Sequence, residues 1–569
     1  PRQRTLVRQL LAWHCCICHL NDVIILLRQT PSTSHMGSGC TARYHLSDTD
    51  RYCHLPHLLL MPPIGWLQLE IITIPYYTFM RKTRLFCTTL IVTLISLISY
   101  AQPRLTIVVV VDGLTQENLN NLRPFMAAGG LRLLTEEAHQ TTASFPHHVY
   151  GGQETMATLM TGTTPSHHSI MSDAYFNRSE RAAQSILIDS EVTGIGTTLT
   201  LSPRMVAPTT ITDEWRMLYG AGAKIYAVGL QPQATVLMAG HAADACCWLN
   251  PDTRKWATTS FYPEGLPAAA DEMNVNGHID NLASREWTPR MDVATYNYAT
   301  TQEKKKGFSY KNQDILLQSP VANTLVIDMA LALQKKQKLG TDISPDLLML
   351  QLNTLSPKAT SDVIASAEQE DMYLGINQDL GYLMEQLNKR IGKEQYQILV
   401  TGRPIKGHAT STLEMANIAV KHFSVDRAAA LIGTYMMAIY GHERWVDGGY
   451  GPFIYLNRML IEKKRMSLET IQRQVANFLM DFEGIQVAYP IHEAITSDDK
   501  SSIYRKHAGD VYFRLQDNWL LNINDQTTYD HVIQSKPAVP VLYWSSSMAN
   551  FPTNQLDATD IKSLIINNN

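Results

Sequence analysis

The run Leu105-Thr-Ile-Val-Val-Val-Val111 restricts the fold more than any other segment. A continuous β-branched and aliphatic stretch has no polar face to offer water. It therefore reads as a strand buried on both sides, as in a parallel sheet under helices. The run ends at Asp112-Gly113, and an amphipathic stretch follows from Leu114 to Leu134. Strand, acidic residue, helix is the opening of an α/β fold, where ligands sit at the C-terminal strand ends.

Further strands of the same kind are expected at Lys224 to Leu230, Asp346 to Leu352 and Tyr396 to Val400, with a late one at Val539-Pro-Val-Leu-Tyr-Trp544. Met372, Ile376, Leu380, Leu383 and Leu387 recur at helical spacing, and so do Ile471, Val475, Phe478, Leu479 and Phe482. The pattern predicts a three-layer α/β/α sandwich around a mostly parallel central sheet. Residues 255–320 are richer in polar and turn residues and are expected to form an inserted cap.

Composition bounds the rest. The chain has 569 residues, 45% of them hydrophobic, which excludes disorder as its dominant state. A formal charge of −4 argues against general nucleic-acid binding, which needs clustered Lys and Arg. These averages hide a break at Met80. Residues 1–79 contain no lysine, yet hold five of the eight cysteines and six of the nineteen histidines. From Met80 onward, Arg81, Lys82 and Arg84 form a basic segment, Leu85 to Ile98 an apolar one, and Ser99-Tyr100-Ala101 a small-residue cleavage site. Residues 80–101 thus read as a secretory signal peptide, out of place so far along the chain.

Residues 1–79 are accordingly expected to be an upstream extension foreign to the native protein. The competing reading is a metal cluster of Cys15, Cys16, Cys18, His14 and His19, whose spacing fits no standard zinc pattern. Nine of the 48 bases and four of the 52 acids lie before residue 102, leaving 39 bases against 48 acids and a charge of −9. Only Cys246 and Cys247 remain there, adjacent and poorly placed to pair with each other. The expectation is an exported protein of a Gram-negative periplasm or cell surface. It would have no disulfide framework and no membrane anchor after cleavage.

Four stretches resemble the alkaline phosphatase superfamily, specifically its bacterial phosphate-monoesterases and nucleotide pyrophosphatase/phosphodiesterases. They are Val-Val-Val-Asp112-Gly, Thr158-Leu-Met-Thr-Gly162-Thr-Thr-Pro165-Ser-His-His168-Ser-Ile170, Ala239-Gly-His-Ala-Ala-Asp-Ala245, and Lys506-His-Ala-Gly-Asp-Val511 with Val539-Pro-Val-Leu-Tyr543. The resemblance spans 104–545. It implies two zinc ions about 4 Å apart that clamp the attacking and leaving oxygens. It also implies a Thr or Ser nucleophile at a helix N-terminus, where free amides favour an anionic phosphate.

Residue by residue, the scaffold matches and the chemistry does not. Asp112 fits the first metal ligand. The nucleophile position, ten residues before Gly162, is Gly152. The Asp and His expected after the strand ending at Leu352 fall on Ser356 and Thr360, and the Asp-His pair after Val400 falls on Arg403-Pro404. The last His falls on Ala538. The phosphate-gripping Lys-x-Arg reads Gln231-Pro232-Gln233, and the Asn after the Pro-x-x-His segment reads Asp173, which would repel phosphate.

Replacements come with ordinary structural explanations. Thr155 is the best substitute nucleophile, but it also reads as a first-turn helix residue. Ser144-Phe-Pro-His-His148 resembles the phosphodiesterase nucleophile motif but lies eight residues too early relative to Gly162. His147, His148, His167, His168 and His241 could join Asp112 as a new metal cluster, or could simply hydrogen-bond in loops. Asp530-His531 resembles a metal pair but sits seven residues before the expected register. Asp112 alone could cap a turn instead of holding metal, and Gly151-Gly152 reads as a tight turn before a helix.

The expectation is a pseudoenzyme on this fold, acting by binding or scaffolding toward an unknown ligand or partner. Gly152, Asp173, His241 and Asp244 make up its candidate ligand-binding set, and Asp112 is a remnant metal position. No cofactor is expected on that reading. The alternative is an active metal-dependent phosphomonoesterase or phosphodiesterase, with zinc and Thr155 in a rebuilt site.

Overall fold

The computed structural model describes residues 103–359, 362, 364–405, 419, 421–516, 518–522, 534–535, 537–545 and 551–567. The signal-like segment, the Cys15 cluster, Thr360 and Asp530-His531 lie outside these residues.

Among the described residues, ten strands form the main sheet: β1 (Leu105–Asp112), β2 (His139–Ser144), β3 (Gly194–Ile195), β4 (Ile225–Gly229), β5 (Ala245–Asn250), β6 (Lys255–Thr259), β7 (Asp346–Asn353), β8 (Tyr396–Arg403), β9 (Ala538–Trp544) and β10 (Leu556–Asp557). Their spatial order is β10-β2-β9-β8-β1-β7-β4-β5-β6-β3. The five central strands, β8, β1, β7, β4 and β5, run parallel. The late strand β9 and the next-to-last strand β6 are antiparallel to their neighbours.

The central strand β1 is buried at every residue, as its β-branched run requires. Alternate residues feed opposite cores. Ile107, Val109 and Val111 meet α2 (Gly130–Glu137), α6 (Pro320–Gln337) and α7 (Ala367–Arg390) on one face. Val108 and Val110 meet α3 (Gln153–Thr161), α4 (Ile211–Tyr219) and α5 (Pro232–Ala239) on the other. This is the expected three-layer α/β/α sandwich with a mostly parallel sheet. The neighbours Cys246 and Cys247 divide between the two cores and are free thiols. Burial pushes the Cys247 thiol up to about 12, so it packs as an uncharged group.

One sequence expectation is redrawn. The stretch from Leu114 to Leu134 holds two helices, α1 (Gln116–Leu122) and α2. A short 3-10 turn at Arg123-Pro124-Phe125 separates them, because Pro124 has no N–H to continue the first ladder.

Residues 255–320 supply β6, short helices and a two-residue strand at Glu286–Trp287, and their Ala269, Ile279, Trp287 and Tyr296 join the first core. A segment with its own core lies later, between β8 and β9. There Val425–Tyr440 and Leu468–Leu479 pack on a four-stranded sheet of Val446–Tyr450, Phe453–Leu456, Ile485–Pro490 and Val511–Leu515. This lobe touches the cleft side of the main domain. His148 Nε2 bonds Asp499 Oδ1 at 2.7 Å, and Tyr150 and Tyr512 hydroxyls meet at 3.1 Å. It thereby anchors the loop that enters α3.

Candidate functional site: a cleft closed by its own ions

The C-terminal ends of β1, β7 and β8 lie in register, placing Asp112 between Asn353 and Arg403. Asp112 is fully buried and Arg403 is 2% exposed. Arg403 grips the carboxylate with a fork. Its Nε donates to Oδ1 at 2.6 Å and its Nη2 donates to Oδ2. Gln351 Nε2 donates to Oδ2 at 2.7 Å. The third nitrogen, Arg403 Nη1, donates to the Gly152 carbonyl at 3.0 Å. Burial alone would lower the affinity of the guanidinium for its proton, but the Asp112 charge and hydrogen bonds outweigh it and hold the group cationic.

The turn after β1 is as tightly specified. Gly113 has φ +78°, and a Cβ there would lie 2.5 Å from Thr354 Oγ1. Only glycine accepts both constraints. Tyr373 Oη closes the turn by donating to the Gly113 carbonyl at 2.9 Å. Asp362, close to the same turn, accepts from the Ile405 N–H at 2.9 Å.

The N-terminus of α3 is where a phosphate would meet free amides. Four amides leading into it are taken. Glu154 Oε1 accepts from the N–H groups of Tyr150 at 2.5 Å and Gly151 at 2.8 Å, and its Oε2 accepts from Gly152 at 3.0 Å. Asp173 Oδ1 accepts from the Gln153 N–H at 3.2 Å. Gly151 permits this crowding, since a Cβ there would stand 2.7 Å from Asp173 Oδ1. Burial, then the nearby Asp173 charge, pushes the Glu154 carboxyl up to about 7, against the pull of the amides. In the sequence Glu154 is only an acidic residue near a helix start. Its reach back over three amides follows from a turn geometry that the sequence does not display.

Thr155 is fully buried, and its Oγ1 donates to the Gly152 carbonyl at 2.5 Å. A hydroxyl committed inward, with no base beside it among the described residues, is not poised as a nucleophile. His168 Nδ1 accepts from the Ile170 N–H at 3.2 Å, so its Nε2–H faces Thr158 Oγ1 at 3.1 Å. His147 donates from Nδ1 to the His148 carbonyl at 2.9 Å and presents Nε2 to the same hydroxyl at 2.8 Å. Burial lowers His147 to about 4 and His168 well below its ordinary value, so both rings are neutral. His167 lies nearer the surface beside Ser166.

Ser356 is buried with its hydroxyl unpartnered among the described residues. The Pro404 carbonyl lies 3.4 Å from Thr155 Oγ1, and Ala538 opens β9 opposite Ser144. The Gln231 amide is bound by Gln351 Oε1 at 2.9 Å, so Gln351 ties the end of β4 to Asp112.

His241 and Asp244 do not join this cleft. Asp244 precedes β5, and its Oδ2 accepts from Ile225 N–H, the first residue of β4, at 2.7 Å. It also pairs with Arg216 at 2.7 Å. His241 bonds Asp213 at 2.8 Å and the Pro203 carbonyl at 3.0 Å. Asp244 therefore organises the N-terminal end of the sheet, opposite Asp112, and His241 ties the first turn of α4 to the loop at Pro203.

A two-zinc site needs three or four N, S or O ligands per ion. Among the described residues no three His, Cys, Asp or Glu side chains are grouped to hold a metal. Asp112 is already bound through both oxygens, and a guanidinium offers donors only. The described donor set does not fit zinc.

A sequence model described as type I phosphodiesterase / nucleotide pyrophosphatase matches residues 106–535. The alkaline phosphatase PafA of Elizabethkingia meningoseptica is 21% identical over 428 residues, covering 70% of this chain and 78% of that protein. The alkaline phosphatase PhoV of Synechococcus elongatus is 23% identical over 487 residues, covering 80% of this chain and 88% of that protein. The crystal structure of wild-type PafA superposes with a TM-score of 0.72 at 19% identity, over 82% of this chain and 96% of that one, and so has the same fold. The chain belongs to the type I phosphodiesterase / nucleotide pyrophosphatase family, within the alkaline phosphatase superfamily.

Proposed function

We propose that this protein is an exported, non-catalytic member of its family that works by binding or scaffolding. One observation carries the reading. Position 152, where the family places its nucleophile, has no hydroxyl, and the amides around it are bound by the protein's own Glu154. A phosphate ester arriving there would meet neither an attacking group nor open donors. It would meet the Glu154 and Asp173 carboxylates instead. Export is supported by the signal-like segment 80–101, and among the described residues no helix is long and apolar enough to cross a membrane.

The competing reading is a working metal-dependent phosphomonoesterase or phosphodiesterase. The names of the relatives favour it, since PafA and PhoV are both alkaline phosphatases. It needs Thr155 or another group as nucleophile, and ligands from residues such as Asp530 and His531. Zinc content of the purified protein, together with metal-dependent hydrolysis of an aryl phosphate and an aryl phosphodiester, separates the two. Sub-stoichiometric zinc and background hydrolysis are expected. Two tightly held zinc ions with turnover would falsify the non-catalytic reading.

A further inference from the structure

We infer that Arg403 is the resident cation of this cleft, an internal group that neutralises Asp112 and joins it to Gly152 where the rest of the family is expected to use metal. The inference rests on the non-catalytic reading and says how the site holds together without a metal.

The geometry is specific. Arg403 and Asp112 are register partners at the ends of adjacent parallel strands. Nε and Nη2 take one carboxylate oxygen each, leaving Nη1 free to reach the Gly152 carbonyl at 3.0 Å. In the two-metal arrangement that the family resemblance implies, Asp112 and position 152 would both contact the ion that clamps the attacking oxygen. One guanidinium therefore bridges the same two chain positions, strand end and helix start. Its planar fork matches a carboxylate bidentately, and its charge is permanent because it does not lose a proton in proteins. The remaining lone pairs of Asp112 are addressed by Gln351 Nε2 at 2.7 Å. Burial of an ion pair is tolerated only when partners are this well satisfied. A divalent cation entering here would have to share a buried space with the guanidinium, so the cleft excludes metal by occupation.

The test removes the cation and offers another. Arg403→Ala in the full chain leaves Asp112 unpaired in a space the size of a guanidinium. Millimolar guanidinium chloride is expected to raise the melting temperature of this variant toward that of the wild type. Equal potassium chloride is expected not to. Asp112→Asn/Arg403→Ala, lacking the charge to be neutralised, is expected to show no such rise. If Arg403→Ala does not fold alone, the readout becomes soluble folded yield on refolding with and without guanidinium, and recovery supports the inference. No effect specific to guanidinium, or an equal effect on the double variant, overturns it and leaves the non-catalytic reading standing. Stoichiometric zinc on the wild type overturns both.

Discussion

The two ends of one parallel sheet solve the same problem differently. At the N-terminal end, Asp244 accepts a strand amide and pairs with Arg216, and both side chains are about one-quarter exposed, at 26% and 24%. At the C-terminal end, Asp112 pairs with Arg403 and both are sealed from water. Asp–Arg pairs at the two ends thus differ chiefly in solvent. Water stands in for a lost partner at the first end and cannot at the second. The C-terminal end is also where α/β sheets keep their ligands, so the protein has buried an ion pair where its fold ordinarily holds a binding site.

Single substitutions should expose the contrast. Arg403→Met leaves a buried carboxylate without its cation and should cost about 3–5 kcal/mol in urea denaturation. Asp112→Asn/Arg403→Met should recover most of that loss, since paired removal strands no charge. Arg216→Met at the other end should cost about 1 kcal/mol or less. Similar losses at the two ends would break the comparison.

The next effect is a pH dependence. Burial and Asp173 raise Glu154 from 4.5 to about 7. The folded protein then holds more protons than the unfolded chain between those values, so this group makes stability fall as pH climbs from about 4.5 to 7. The amplitude is on the order of 2–3 kcal/mol. His147, lowered from 6.5 to about 4, works in the opposite sense. Folded protein there holds fewer protons, and stability rises as pH climbs from 4 to 6.5. Chemical denaturation across pH 4–8 should therefore be compared between the wild type and Glu154→Gln. Their difference should narrow as pH falls from about 7 to about 4.5 and change little below that; a pH-independent difference would remove Glu154 from the account.

Much of the fold was legible because its signals are local. The all-apolar β1 run fixed a doubly buried strand, and the Met372 to Leu387 spacing fixed the face of α7. The site was legible only in what it had lost. Gly152, Arg403 and Ala538 could be read as departures from a family register. That Arg403 turns onto Asp112 depends on two strands separated by hundreds of residues lying in register. One signal was available: an arginine and an aspartate at the ends of two predicted buried strands each need a counter-charge, and each supplies the other's. His241 and Asp244 show the converse, a retained motif that keeps its place in the scaffold away from Asp112.

The smallest expected effect tests whether sterics or chemistry keeps position 152 empty. A Cβ at Gly152 would sit 3.5 Å from Ile405 Cγ2 and 3.8 Å from Arg403 Nη1, ordinary contacts. Its φ of 165° lies outside the left-handed range that demands glycine. Thr and Gly are also close in preference at the helix N-cap. Gly152→Thr should therefore shift stability by under about 0.5 kcal/mol in urea denaturation. It should also leave aryl-phosphate hydrolysis at background, because the restored hydroxyl would face amides held by Glu154 and a cation that cannot act as a metal. A large loss of stability would mean the glycine is required by packing at the buried end. A gain of zinc-dependent turnover would mean the C-terminal end keeps ligands that Arg403 does not displace, and the contrast between the two ends of the sheet would then be one of solvent alone.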